Sequence, residues 1–551
     1  MAAQTPRDHL TNQRQPLKGF DCERETSNIR AVMRWLALIL SVWLWASGAL
    51  AADWHRATSE HYVVHARMDP GELSETVQRM EDFHRVLEAM LPRQTQPTRK
   101  ALIFLEENAS KISALVPQLR VGGLSGTNAE MMGSYAQFDL SHNPKTRFYS
   151  VHYVQAQQYI DNGYFRTHAP WVLAGVPHFF NTATPNEEGA YLLGVPNQRR
   201  GAIVLETRKS DLERLFSLDT WPDKQTQFER ANQFSYQVAT VLLLDTKYSG
   251  RLENYLNAFA SGKSFEDAML ELGDLEELAE DINARFAQRA GGTDNNKSRR
   301  RRNRTTIRQT IRQLNLPPET AALRVAPMAR AEVDLIRPRF ERFIGKNLER
   351  TSQKLAKLTG KYPARADVWF EFAAAEFARV RDSLYGEQPF NGFGFSNGEI
   401  IVPANRYADT DAWNAVNKAL ELDPTYTPAK VLRAEILMNR LVQSNEEDES
   451  EGFEEVRSRL SSISREAEDN PLAAGLYFQS YIEQGEDPTP RAINQLGRAF
   501  SSNPGVDSIR YAYAVSLARQ GERESARILL SSMLNNPDYK EAAQRALDEA
   551  G

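Results

Sequence analysis

The sequence predicts an α+β N-terminal domain followed by an all-α superhelix, predominantly helical over its length. Three observations carry this. Between residues 52 and 290, short β-branched and aromatic runs alternate with segments of helical apolar spacing. Residues 291–304, Gly291-Gly-Thr-Asp-Asn-Asn-Lys-Ser-Arg-Arg-Arg-Arg-Asn-Arg304, contain no apolar side chain and cannot contribute to a core. From 331 onward the pattern is helical, and prolines close helix-like stretches at Pro363, Pro424, Pro471, Pro504 and Pro537, the last two intervals both 33 residues.

Composition narrows the class. The chain has 551 residues, 41% hydrophobic and 25% charged, which excludes collagen-like, low-complexity and disordered proteins. That length suits two to four domains, each able to bury a core. With 67 basic and 72 acidic residues the net charge is −5, so no basic field points to nucleic acid. The single cysteine, Cys22, rules out an internal disulfide framework and a Cys-rich zinc site. The nine histidines all lie at or before His178, which confines histidine chemistry to the N-terminal third.

Residues 1–51 read as a leader with a secretory signal peptide. Its apolar core is 35–46, preceded by Arg30 and Arg34, and Ala49-Leu50-Ala51 suits cleavage after Ala51. The core is shorter than the roughly 20 residues of a membrane span. Cleavage removes Cys22 and leaves a cysteine-free chain suited to an oxidising compartment. The protein is therefore expected to be exported, periplasmic or secreted; an uncleaved leader would anchor it to a membrane through 35–46.

In the domain at 52–290, residues 54–67 read as a strand and 71–91 as a helix with Leu73, Val77, Met80, Phe83, Val86, Leu87 and Met90 on one face. Lys100–Leu105 reads as a second strand. Helices are expected at 146–160, 170–182, 226–245 and 250–290, the last broken at Gly262 and Gly273. Residues 291–330 read as a polar, Arg-rich linker, and the arginine run as a solvated face rather than a nucleic-acid patch.

In 331–551 the clearest helix is Asp411-Ala412-Trp-Asn-Ala-Val416-Asn-Lys-Ala419-Leu-Glu-Leu-Asp-Pro424. Small residues seven apart let a partner helix approach closely. Ala492, Leu496, Ala499 and Pro504 repeat the spacing, as do Ala526, Leu530 and Pro537 in part. This unit of about 34 residues resembles the tetratricopeptide repeat (TPR). The resemblance implies stacked helix pairs with a concave surface that takes a protein or peptide partner. Residues 383–409 interrupt one unit with aromatics among glycines. Phe390, Phe393 and Phe395 there are candidate partner-binding anchors, with packing under the loop as the alternative.

Residues 54–290 resemble a bacterial gluzincin-type metallopeptidase domain. The resemblance rests on the Trp54–Val64 and Ala101–Leu105 strands, the helical pair within 150–182, Gln233-Phe-Ser-Tyr236 and Gly262-Lys-Ser-Phe-Glu-Asp-Ala268. In that family a His-Glu-x-x-His helix supplies two zinc ligands and the general base, and a Trp-x-x-Glu-Gly helix the third ligand. Two histidines at i and i+4 of a helix can share one metal. Here the first helix reads His152-Tyr153-Val154-Gln155-Ala156-Gln157-Gln158, and no register restores His, Glu and His. The second reads Trp171-Val-Leu-Ala174-Gly175-Val-Pro177-His178, with Ala174 in the ligand position. An alanine has no lone pair for a metal, so no catalytic residue, metal ligand or cofactor is expected.

Zinc enters only under an alternative, a metal-dependent hydrolase with a site rearranged around His152 and His178, with His168, Glu187 and Glu188 nearby. His61 and His65 stand at i and i+4 but in a strand, where about 13 Å separates them. Gly122-Gly-Leu-Ser-Gly126 lacks the closing glycine of a nucleophile elbow and reads as a loop. No phosphate-binding loop or dinucleotide fingerprint occurs. The functional expectation is an exported non-catalytic adaptor whose repeats dock a protein or peptide beside a pseudo-peptidase domain. A membrane-anchored envelope structural protein is a further alternative.

Overall fold

In the computed structural model the chain falls into two compact units, residues 1–51 and 52–551. The structure describes residues 50–91, 99–115, 123–138, 143, 146–163, 169–195, 206–218, 225–290, 311–385, 395–396, 399–400, 409–443, 450–466, 470–536 and 539–550. The expected signal core therefore lies outside the described residues, as does the arginine run. No helix among the described residues is long and apolar enough to cross a membrane.

The N-terminal region mixes sheet and helix. β1 (Leu50–Thr58) and β2 (Tyr62–Arg67) are antiparallel, with Trp54 opposite Arg67 and Thr58 opposite Val63. The stretch expected as one strand is thus a hairpin. Its turn is held by Ser59, whose N–H donates to Tyr62 O at 2.9 Å while Tyr62 N–H donates to Ser59 Oγ at 3.3 Å. A serine that closes its own turn leaves no glycine or proline as a sequence signal. α1 (Pro70–Met90) carries Pro70 in its first turn, is capped by Asp69 Oδ1 accepting from Gly71 N–H, and buries the apolar face that its spacing predicts. α1 then crosses over to β3 (Ala101–Glu106), parallel to β2.

α2 (Ala109–Ser113), β4 (Gly123–Thr127) and β5 (Met132–Gln137) follow. The glycine-rich stretch expected as a loop is strand β4, paired antiparallel to β5. Next come α3 (Tyr149–Gly163), α4 (Pro170–Phe180), β6 (Thr184–Pro185), β7 (Tyr191–Leu193), α5 (Lys209–Phe216), α6 (Gln225–Leu244), α7 (Arg251–Ala260), α8 (Phe265–Leu270) and α9 (Leu275–Ala290). Gly262 and Gly273 sit at φ +79° and +86° and end α7 and α8 where the sequence predicts breaks.

The linker expected over 291–330 ends early. β8 (Arg312–Leu314) pairs with β7, and β9 (Arg324–Ala329) joins a six-stranded sheet of order β4-β5-β3-β2-β1-β9. An edge strand is recruited through its backbone, so a polar segment can serve, and Pro327 is tolerated because one side needs no partner. Met328 supplies the buried anchor.

The C-terminal region is helical. It runs α10 (Arg330–Phe343), α11 (Leu348–Lys361), α12 (Ala366–Tyr385), α13 (Thr410–Leu422), α14 (Thr427–Gln443), α15 (Ser450–Glu466), α16 (Pro471–Glu483), α17 (Pro490–Ser502), α18 (Asp507–Arg519), α19 (Arg523–Ser531) and α20 (Lys540–Ala550). Each helix packs on its successor, and α10, α12, α14, α16, α18 and α20 also touch in series. Ala412, Ala419, Ala492, Ala499 and Ala526 are fully buried, as their spacing requires. A short ribbon, β10 (Phe395–Ser396) with β11 (Glu399–Ile400), lies between α12 and α13.

The helices do not form a free arm. Arg342 of α10 makes a bidentate contact with Glu130, between β4 and β5, with Nη1 at 2.7 Å from Oε2. Arg342 Nε also donates to Glu371 of α12 at 3.1 Å, and Arg339 donates to the same carboxylate. At the far end, Asn535 Nδ2 donates to Phe259 O and Lys263 O, both at 3.2 Å. Gly505 lies so close to α3 that an added Cβ would stand 2.4 Å from Asn162 Oδ1.

Two predictions follow from this packing. A Cβ at Gly175 of α4 would stand 2.2 Å from the Ser235 carbonyl oxygen of α6, so Gly175→Ala must push the two helices apart. It should cost about 1–3 kcal/mol, read as a lowered urea midpoint at constant m. Glu371→Gln leaves the buried Arg342 and the partly exposed Arg339 short of a countercharge and should cost about 3 kcal/mol in the same measurement; a change below 1 kcal/mol would show that water already screens the network.

Candidate functional site

The α3–α4 pair, where the sequence placed its question about zinc, is packed as core. His152 of α3 is wholly buried, its ring stacked on Phe83 of α1 at 3.9 Å between centroids. Burial, reinforced by the Arg79 charge, holds its pKa well below 6.5, so the ring is neutral. Gln155 Nε2 donates to Met80 O at 3.1 Å, tying α3 to α1, and Ala156 is fully buried. On α4, Trp171 Nε1 donates to Tyr255 Oη at 3.0 Å, and Ala174 is buried beside it in sequence. His178 stands in the last turn of α4, its ring 4.6 Å from that of Tyr153.

The other candidates scatter. Glu187 and Glu188 are exposed between β6 and β7, and His168 lies outside the described residues. Neither His152 nor His178 falls in a described group of three side chains able to hold one ion. Ser125, from the glycine-rich stretch, donates its hydroxyl to Gln157 Oε1 at 2.7 Å. Phe390 and Phe393 lie outside the described residues, and Phe395 begins strand β10.

A different cluster forms on α1. His61, in the turn before β2, meets His84 of α1 with rings stacked at 3.8 Å and 15° between planes. Glu81 clamps His61 twice, accepting from its N–H at 3.0 Å and lying 2.6 Å from its Nδ1. Burial would raise the Glu81 pKa, yet the His61 and Ser59 hydrogen bonds hold it below the usual carboxylate value. The 2.6 Å contact commits Nδ1 of His61 to Glu81. Tyr62 Oη stands 2.8 Å from His84 Nδ1, and Glu88, one helical turn on, places Oε1 3.6 Å from His84 Nε2. His61, His84 and Glu88 each offer a ligand atom within 4.8 Å of the others. The sequence shows His84 and Glu88 at i, i+4, but only the β1–β2 turn brings His61 to them.

A cavity of about 600 Å³ opens elsewhere along α1, lined among others by Gln78, Arg79, Asp82, Tyr191 and Leu323. The Arg79 guanidinium lies over the Phe148 ring at 4.2 Å, and burial lowers its pKa. Asp82 already accepts from Arg85 at 2.8 Å and from Gln78 at 3.1 Å. Comparison of the chain with protein-family models gives no match, and comparison with curated proteins gives none either.

The buried imidazoles predict an acid-sensitive fold. Burial, with Arg339 and Arg56 adding to it, lowers His65 to about 3 from 6.5, and His152 is also shifted well down. Below 6.5 the unfolded chain protonates these rings while the folded one does not, so the unfolded state binds more protons and stability falls as pH drops from 6.5 toward 3. Replacing His152 by Leu should flatten that decline, measured as urea midpoints between pH 7 and 4. An unaltered slope would remove His152 from the account.

Proposed function

We propose that this protein is an exported, non-catalytic binding protein whose TPR-like superhelix docks a protein or peptide beside a gluzincin-like pseudo-peptidase domain. The observation that carries the reading is the serial contact of α10, α12, α14, α16, α18 and α20, with small alanines buried between successive helices. Helices that touch in alternation make a continuous lateral surface, which a collapsed bundle does not. Anchoring through Glu130 at one end and Asn535 at the other supports a preformed surface, and preorganisation lowers the entropic cost of binding. The non-catalytic part rests on residue chemistry: Ala156 and Ala174 offer methyl groups, and Gln155 a neutral amide, where the resemblance calls for zinc donors and a general base.

Because the helices are interlocked with the N-terminal region, the test uses residues 52–551 together. Photo-cross-linking groups placed across both regions, followed by mass spectrometry of an envelope extract, should mark one partner from positions on α12–α18. Phe393→Ala and Phe395→Ala should each weaken that capture by roughly 1–2 kcal/mol without lowering the melting temperature. Partner cross-links confined to 52–290 would overturn the assignment to the superhelix. Cleavage of a peptide mixture in added zinc, abolished by substituting His152 or His178, would overturn the non-catalytic reading.

A further inference from the structure

The geometry points to a divalent-metal site, most suited to zinc, formed by His61, His84 and Glu88. This goes beyond the proposed function and does not depend on it. Two imidazoles and one carboxylate are the donor set of many three-ligand zinc sites, which keep a fourth position for water. The three donor atoms already lie within 4.8 Å of one another. Tetrahedral zinc with bonds of about 2.0–2.1 Å needs its ligand atoms roughly 3.3 Å apart, so the widest gap closes by at most about 1.5 Å, and His84 Nε2 and Glu88 Oε1 already stand 3.6 Å apart.

The side chains are distributed to allow this. His84 is fixed in the core with 5% of its side chain exposed, while Glu88 is 38% and His61 31% exposed. His84 is packed in the core and Glu81 holds His61 by both its N–H and its ring, so Glu88, the most exposed of the three, is the ligand that turns inward. Exposure of Glu88 and His61 supplies the entry path.

What separates this cluster from an ordinary ion pair is its outer shell. A ligating histidine usually has its second nitrogen held by a carboxylate, carbonyl or hydroxyl, which sets the tautomer and aims the ring. Both histidines have that partner on Nδ1: Glu81 at 2.6 Å from His61, and Tyr62 Oη at 2.8 Å from His84. A Tyr62 hydroxyl that accepts from Nδ1–H leaves the Nε2 lone pair of His84 to the metal. Glu81 does the same for His61. The metal would add a bond between the β1–β2 turn and the C-terminal half of α1, which already meet through Glu81, the His61–His84 stack and the Tyr62–His84 contact.

The test is a titration of chelator-stripped 52–551 with zinc by calorimetry and with Co²⁺ by visible absorption. One equivalent per chain is expected, with the intense d–d bands of tetrahedral cobalt. Glu88→Ala, at a half-exposed position that leaves the core intact, should lower affinity at least tenfold. Glu81→Gln should lower it 10–100-fold as an orienting group, without changing the stoichiometry. His84→Ala should abolish binding, and its far-ultraviolet circular dichroism tells loss of a ligand from loss of the fold. No saturable binding, or saturable binding that Glu88→Ala and Glu81→Gln both leave unchanged, would overturn the proposal.

Discussion

Glu130, Arg342, Glu371 and Arg339 bring four charges together at the seam between the sheet and the helices, and the placement of everything downstream depends on them. Arg342 and Glu371 are buried while Arg339 and Glu130 reach solvent, and taking the buried pair out of water costs several kcal/mol, which is offset only when every buried oxygen and guanidinium finds a partner. Here each does. Burial alone would raise the Glu371 pKa, but Arg339 and Arg342 hold it below the ordinary carboxylate value. Burial would likewise lower Arg342, and the two carboxylates instead raise it. A network so dependent on geometry tolerates few relative positions of β4–β5, α10 and α12. The Asn535 and Gly505 contacts then close the far end of the helices onto α7 and α3.

Within that frame α1 serves three neighbourhoods at once. Phe83 stacks on His152 and makes the α3 interface; Glu81, His84 and Glu88 gather around His61; Arg79 and Asp82 line the cavity. The α3–α4 pair illustrates how packing and chemistry obey separate rules. Trp171 against Tyr255, and Gly175 against Ser235, are set by volume and close approach, and an alanine at 156 or 174 satisfies those demands. Metal ligation is set by lone pairs, and an alanine meets none of that demand. Close packing of these two helices is therefore no evidence of a metal between them.

Local patterning was legible. The apolar face of α1, the breaks at Gly262 and Gly273, and the buried alanines of α13, α17 and α19 all followed from side-chain periodicity and backbone freedom. Segments whose structure comes from partners elsewhere were not legible. β4 looked like a glycine-rich loop until β5 paired with it, β9 looked like linker until it met the sheet edge, and the Ser59 turn carried no turn signature.

The sequence by itself determined the apolar face of α1, the breaks at Gly262 and Gly273, that an α+β region precedes a helical one, and that no carboxylate or second histidine stands at the expected helical spacing from His152. Those are properties of covalent order and short-range sterics. Only the tertiary structure decided that the helices return to the N-terminal region, that β9 completes the sheet, and that His61 faces His84 and Glu88. Each of these juxtaposes residues far apart along the chain, and their meeting depends on hairpin geometry and on the balance of buried charge, which no local window of residues encodes.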